Sequence, residues 1–207
     1  MEQAIKDAKV KTFTDFLRVV FKNVIDPIAA FLNRLGLKPN TVTLSGLIGH
    51  TAAAYLIAQG EVTWGGLLIL VMAPVDALDG AMARLRGEPS KFGAFIDSVT
   101  DRYSELVLFG GLLVYFLNQN NWLGCGLVYL AAAGSVMVSY TRARAETLGF
   151  DGKIGLLSRV ERYIILIPSL IFNLSIYGLG IIAVLANFTA VQRIWSVRKQ
   201  AHETMNL

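Results

Sequence analysis

The sequence predicts an all-α integral membrane protein: six transmembrane helices preceded by an N-terminal amphipathic juxtamembrane helix. Three observations lead there. Of the 207 residues, 54% are hydrophobic and the mean hydropathy is +0.52. That is too apolar for an ordinary soluble domain, and it supplies several runs of the ~20 apolar residues that a spanning helix needs. Short polar turns separate those runs. Finally, all 19 Lys and Arg residues fall in the N-terminal segment, the C-terminal tail or the connections on one side of the bundle. Under the positive-inside rule this places both termini at the cytoplasmic face of the cell membrane.

Residues 1–38 form a charged and amphipathic segment, 39–199 the membrane domain and 200–207 a tail. Residues 1–11 are charged. Over 12–36, Phe13, Leu17, Val20, Val24, Ile28, Phe31 and Leu35 recur at helical spacing, punctuated by Asp15, Arg18, Lys22, Asp26 and Arg34. Such a helix lies in the membrane interface, packs on the domain, or does both. Pro27 is expected to kink or divide it. Asn40 or Thr41, with Pro39 ahead, is the expected N-cap of the first span. The expected spans are 41–59, 64–86, 93–118, 122–147, 155–174 and 177–198. Gly60-Glu-Val-Thr, Asn118-Gln-Asn-Asn and Asn173-Leu-Ser are the turns on the side free of basic residues. Gly46, Gly49, Ala52, Ala53, Ala54, Gly110 and Gly111 allow close helix packing. The lone Cys125 reads as packing, and His50 as a packed or hydrogen-bonded histidine. No signal peptide is read at the N-terminus. The net charge of +4 serves topology and phosphate binding, with no nucleic acid as partner.

Chemistry concentrates between Val75 and Arg102. Asp76 and Asp79 are spaced i, i+3, and Asp97 and Asp101 i, i+4, so on helices each pair projects from one face. Gly87, Pro89 and Gly93 interrupt the run, so the two helices can fold back and bring the four acids together. A single acid near a helix end is ordinarily snorkelled or paired with Arg, and Arg84, Arg86 and Arg102 are at hand. Two spaced pairs are different. Ionised carboxylates are costly in a bilayer and repel one another, so four together call for a cation of high charge. Hard oxygen donors with no Cys or His nearby favour Mg2+, with Mn2+ as the alternative. Intramembrane acids also suit a divalent-cation or proton transporter. All four, however, lie toward one face rather than along a path.

The stretch Asp76-x2-Asp79-Gly80-x2-Ala83-Arg84-x8-Gly93-x3-Asp97-x3-Asp101 resembles, without a mismatch, the signature of the CDP-alcohol phosphotransferases. The resemblance covers about 39–198. It implies phospholipid biosynthesis: transfer from a CDP-linked lipid such as CDP-diacylglycerol to an alcohol, with release of CMP, on two divalent ions. It further implies Asp76, Asp79 and Asp97 as metal ligands. Asp101 would touch the second metal and act as general base. Pro39, Asn40, Thr41, Val42, Asp79, Gly80, Ala83, Arg84, Ser90 and Gly93 would bind the CDP-lipid. Gly80 would let the nucleotide approach the helix closely, and Arg84 would hold a phosphate. A homodimer is also implied.

A second, basic group follows. Ser139-Tyr-Thr-Arg-Ala-Arg-Ala-Glu146, Arg159-Val-Glu-Arg162 and Val191-Gln-Arg193 are expected at the same membrane face as the acids. One terminal arginine is ordinarily a headgroup anchor. Three converging sites point to an anionic acceptor, because guanidinium binds phosphate through a fixed fork of donors. These segments resemble bacterial phosphatidylinositol phosphate synthases and their archaeal counterparts. That branch implies inositol phosphate as acceptor, its phosphate held by Arg142, Arg162 and Arg193. The first position is often Lys in bacterial members. A synthase using glycerol 3-phosphate, making phosphatidylglycerophosphate, is the alternative.

Overall fold

The computed structural model describes residues 13–87, 90–152 and 154–205. The charged stretch 1–11, Pro89, Lys153 and the side chains of Phe13 and Leu17 lie outside the described residues. All described secondary structure is helical. The helices are α1 (Phe13–Arg34), α2 (Pro39–Ala58), α3 (Val62–Met72), α4 (Val75–Leu85), α5 (Lys91–Asn118), α6 (Trp122–Thr147), α7 (Arg159–Ile171) and α8 (Ser175–Met205).

Four segments are long and apolar enough to cross a membrane: Pro39–Ala58, Val62–Leu85, Trp122–Thr147 and Ser175–Thr204. The other two expected spans do not meet that measure for physical reasons. α5 carries Lys91, Asp97, Asp101, Arg102 and Glu105. α7 has 13 residues, about 20 Å of helix against a hydrocarbon core of about 30 Å. The segment read as one span over 64–86 is two helices, broken at Ala73–Pro74, since Pro74 has no N–H for the helical ladder. α1, by contrast, runs undivided through Pro27. Both Pro27 and Asn23, whose carbonyl lacks its usual donor, are exposed, which lowers the cost there.

Helix ends obey a common local rule. Gly36, Gly60 and Gly149, with Asn120 and Asn173, all have positive φ. Each stands just past a helix with the paired backbone bonds of a Schellman ending, for example Gly36 N–H to Asn33 C=O and Leu37 N–H to Leu32 C=O. α2 starts at Pro39 rather than after Asn40 or Thr41. The Thr41 and Val42 N–H groups donate to Lys38 C=O, which makes Pro39 the first helical residue, where its missing N–H costs nothing.

The chain divides into two compact units, residues 1–48 with 71–101 and residues 49–70 with 102–207. In the first, Ala29, Val42, Ala81 and Met82 are buried, with Ile25, Leu32, Val75 and Leu78 packed against them. Asn33 Nδ2 donates to the Met82 carbonyl, and Arg86 donates to Asn33 Oδ1 and the Leu37 carbonyl, tying α1 to α4. Phe21, Val24, Ile28 and Phe31 stand exposed on another part of α1, and Leu35 just past its end. The apolar arc of α1 is therefore wider than the core it covers.

In the second unit, α8 packs along α6 and against α7. Ala53, Ala54, Ile57, Leu108, Leu112, Val128, Leu166, Leu170, Leu179 and Ile182 are buried there. Gly111 is one of the small residues expected at a close contact: a Cβ on it would stand 2.4 Å from the Ala54 carbonyl oxygen. Gly110 faces open space instead. His50 is fully buried, edge-on to Tyr163 with ring centroids 5.8 Å apart, and Arg159 lies over that Tyr163 ring. Cys125 is half-buried.

Candidate active site

The acid group belongs to the first unit. Asp76 and Asp79 stand on α4, and Asp97 and Asp101 on α5, so both spaced pairs are helical. Asp79 is only 5% exposed. Burying a carboxylate is costly unless it is hydrogen-bonded, and Asp79 has two donors. Thr43 Oγ1 donates to its Oδ2 at 2.5 Å, and the Gly80 N–H to its Oδ1 at 2.5 Å. Asp76 and Asp97 are near enough to act on Asp79 electrostatically. The sequence reading missed two residues that shape this group. One is Thr43, whose hydroxyl oxygen also lies 3.2 Å from the Pro39 carbonyl oxygen. The other is Gly46, where a Cβ would stand 2.9 Å from Asp76 Oδ1. Thr43 directly follows the expected nucleotide residues Pro39, Asn40, Thr41 and Val42, and Gly46 was read only as a packing residue.

The expected nucleotide residues separate into two sets. Asn40, Ser90 and Gly93 come together: the Gly93 N–H donates to Ser90 Oγ at 2.9 Å, and a Cβ on Gly93 would be 3.0 Å from Ser90 Oγ and 3.7 Å from Asn40 Oδ1. Arg84 folds back toward Gly80, with Nη1 3.4 Å from the position of a Cβ there. Pro39 and Ala83 are half-buried and Thr41 is exposed. Val42 faces the other way, its side chain buried among Ala29, Ala81 and Met82. Arg86 is occupied by Asn33 and Leu37 rather than by an acid.

The donor set suits Mg2+ or Mn2+ by its chemistry, hard carboxylate oxygens beside a hydroxyl. Among the described residues, no three carboxylate, imidazole or thiol groups are gathered closely enough to hold a metal ion. The fit thus rests on donor type and on the bare Gly46 flank of Asp76, not on a closed coordination sphere.

The basic group belongs to the second unit. Arg142, on α6, is 46% exposed, and its Nε pairs with Glu146 Oε1 at 2.9 Å. Arg162, on α7, is 2% exposed and held bidentately by Glu105 of α5. Arg193, on α8, is 4% exposed. It donates from Nε to the Ile154 carbonyl at 2.8 Å and from Nη1 to the Val138 carbonyl. Arg142 and Arg162 are close enough to act on Arg193 electrostatically, so the expected three do gather. Glu105 was not singled out in the sequence, although it continues the four-residue spacing of Asp97 and Asp101.

The loop between α6 and α7 lies on α8. Asp151 N–H donates to Gln200 Oε1 and Leu157 N–H to Thr189 Oγ1. Gly155 takes a φ of +139°, and a Cβ there would collide with Thr189. Ser158 bonds Glu161 at the start of α7, a pairing of the capping-box spacing. An open groove of about 620 Å³ is lined by Arg142, Glu146, Gly149, Phe150 and Asp151.

Residues 37–195 match the family model described as CDP-alcohol phosphatidyltransferase. A phosphatidylinositol phosphate synthase of Streptomyces avermitilis is 37% identical over 204 residues, covering 91% of this chain and 83% of the relative. An archaetidylinositol phosphate synthase of Pyrococcus horikoshii is 35% identical over 185 residues, covering 89% and 96%. The crystal structure of Mycobacterium tuberculosis phosphatidylinositol phosphate synthase with CDP-DAG bound matches with a TM-score of 0.78 at 32% identity, covering 84% of this chain and 94% of that one. A second structure of that protein, with manganese and citrate, matches with a TM-score of 0.76 at 33% identity, covering 84% and 88%.

Proposed function

This chain belongs to the CDP-alcohol phosphatidyltransferase family, and from that premise we propose that it is a phosphatidylinositol phosphate-type synthase. It transfers a phosphatidyl or ether-lipid group from a CDP-linked lipid to inositol phosphate and releases CMP. The observation that carries the acceptor reading is that Arg142 and Arg162 both lie within electrostatic reach of Arg193, while the carboxylates bonded to this group, Glu146 and Glu105, balance only two of the three charges. Relatives named archaetidylinositol phosphate synthase, at 35% identity, and phosphatidylinositol phosphate synthase, at 37%, support the same reading.

Asp76, Asp79, Asp97 and Asp101 would hold two Mg2+ ions, with Mn2+ able to substitute; a relative's manganese complex supports divalent metal use. When bound, the metal neutralises charge on the diphosphate and improves CMP as a leaving group. Thr43 keeps the Asp79 carboxylate oriented. Asn40, Ser90 and Gly93 receive the nucleotide, together with Pro39, Thr41, Gly80 and Ala83, and Arg84 contacts a phosphate. The three arginines hold the acceptor's phosphate. Asp101 accepts the proton of the acceptor hydroxyl as its oxygen bonds to the phosphorus nearer the lipid. The bond from that phosphorus to the CMP oxygen breaks, and proton transfer accompanies bond formation.

In this reading α5 and α7 complete six spans, with charged groups of α5 facing the protein interior rather than lipid. α1 rests in the interface on its exposed apolar stripe. Both termini and the reacting groups face the cytoplasm, where the polar substrates are. The enzyme works as a homodimer in the cell membrane.

The test is CMP release by purified protein given CDP-diacylglycerol, Mg2+ and either inositol phosphate or glycerol 3-phosphate, with EDTA as control. Release with inositol phosphate alone is expected. Release with glycerol 3-phosphate alone overturns the acceptor. Cation flux in proteoliposomes without lipid donor would replace the enzyme reading by a transporter.

A further inference from the structure

Arg162 is among the largest fully buried side chains in the protein. A guanidinium carries five N–H donors in a planar fork, and the partners of Arg162 account for three of them. Nε donates to Glu105 Oε1 at 2.5 Å and Nη2 to Glu105 Oε2 at 2.9 Å, so one whole edge of the fork is taken by a single carboxylate. Nη1 donates to the Leu157 carbonyl at 3.4 Å. Two N–H groups remain, one on each terminal nitrogen. Terminal guanidinium N–H groups are the donors that take phosphate oxygens.

Joining α5 to α7 does not by itself require such a pair. Buried ion pairs seldom stabilise more than well-packed apolar residues of the same volume. Glu105 also cancels charge that an anionic ligand would otherwise feel. What the carboxylate supplies is orientation: two bonds in one plane fix both the tilt of the guanidinium and the edge it presents. The other two arginines are held differently. Arg193 is tied to neutral carbonyls, and Arg142 pairs with exposed Glu146. Attraction can come from Arg193, while Arg162 contributes geometry.

We infer that Glu105 is a positioning residue for the acceptor, holding Arg162 so that the free end of its fork meets the phosphate of a small phosphorylated polyol. This rests on the function proposed above. Glu105→Gln keeps the size but turns an NH2 group toward the guanidinium, so the fork rotates. The variant is expected to raise the acceptor KM at least tenfold, with kcat within about threefold and the CDP-diacylglycerol KM unchanged. Calorimetric binding of inositol phosphate to the solubilised protein should weaken in parallel. Glu105→Asp, which restores the carboxylate, should recover part of the loss and stands in if Glu105→Gln does not fold. Adding Glu105→Gln to Arg162→Lys should cost little more than Arg162→Lys alone.

An unchanged acceptor KM in Glu105→Gln overturns the inference. So does an equal rise in both substrates' KM with a lower melting temperature, which marks a purely structural tie. The function itself fails separately, if wild-type protein releases no CMP with inositol phosphate. Where glycerol 3-phosphate supports release instead, the same KM split with that acceptor decides for or against Glu105.

Discussion

Gly46→Ala separates metal affinity from fold stability. A Cβ at Gly46 would stand 2.9 Å from Asp76 Oδ1. A carbon–oxygen contact relaxes only near about 3.3 Å, so the carboxylate must retreat by roughly 0.4 Å. Asp76 can do this by leaving its rotamer minimum, at about 0.5–1.5 kcal/mol. Replacing helical Gly by Ala returns about 1 kcal/mol, so net stability is expected to change little and the melting temperature by no more than a few degrees. With Asp76 as a metal ligand, as proposed, metal binding has less room, since ligand distances tolerate only about 0.2 Å. A displacement twice that size should raise the Mg2+ needed for half-maximal CMP release about tenfold, in the range seen when the support of a metal ligand is disturbed. Mn2+ titration followed by electron paramagnetic resonance should show the same loss without any lipid substrate. A Mg2+ requirement within twofold of wild type, at unchanged melting temperature, would refute the reasoning. So would an activity loss that excess Mg2+ does not restore.

Three further outcomes are expected. Thr43→Val removes the hydroxyl that donates to buried Asp79; thermal unfolding should show a loss of about 1–3 kcal/mol, with CMP release falling. Asp101→Asn should abolish turnover while sparing CDP-lipid binding better than Asp79→Asn does, measured by nucleotide-lipid binding beside CMP release. Equal activity of Asp101→Asn and wild type would remove the general-base role. Arg193→Lys cannot serve the Ile154 and Val138 carbonyls together; it should lower stability by about 1–3 kcal/mol and raise the acceptor KM more than the CDP-lipid KM.

Much of this arrangement is written in local chemistry. The i, i+3 and i, i+4 carboxylates fall on α4 and α5, and Gly60, Asn120 and Asn173 end helices where their tolerance of positive φ predicts. What sequence does not reveal depends on partners far along the chain. Pro74 breaks a run whose hydropathy reads as one span. The start of α7 at Arg159, not near 155, follows from a loop pinned by Thr189, Arg193 and Gln200. Asn40 and Thr41 looked like caps, yet Pro39 suits the first helical position better. Thr43 and Glu105 acquire roles only through Asp79 and Arg162, 36 and 57 residues away.

The three arginines differ in how much else depends on them. Arg162 and Arg193 are interior struts: Arg162 satisfies the buried Glu105 carboxylate, and Arg193 ties its helix to the Ile154 and Val138 carbonyls. Arg142 has one exposed partner on its own helix, so removing it costs the fold little. Under the acceptor role proposed for them, head-group preference is therefore adjustable at one position and frozen at two. Redesign toward another phosphorylated alcohol has its opening at Arg142 and the groove beside it, where a change in recognition does not have to be repaired elsewhere in the fold.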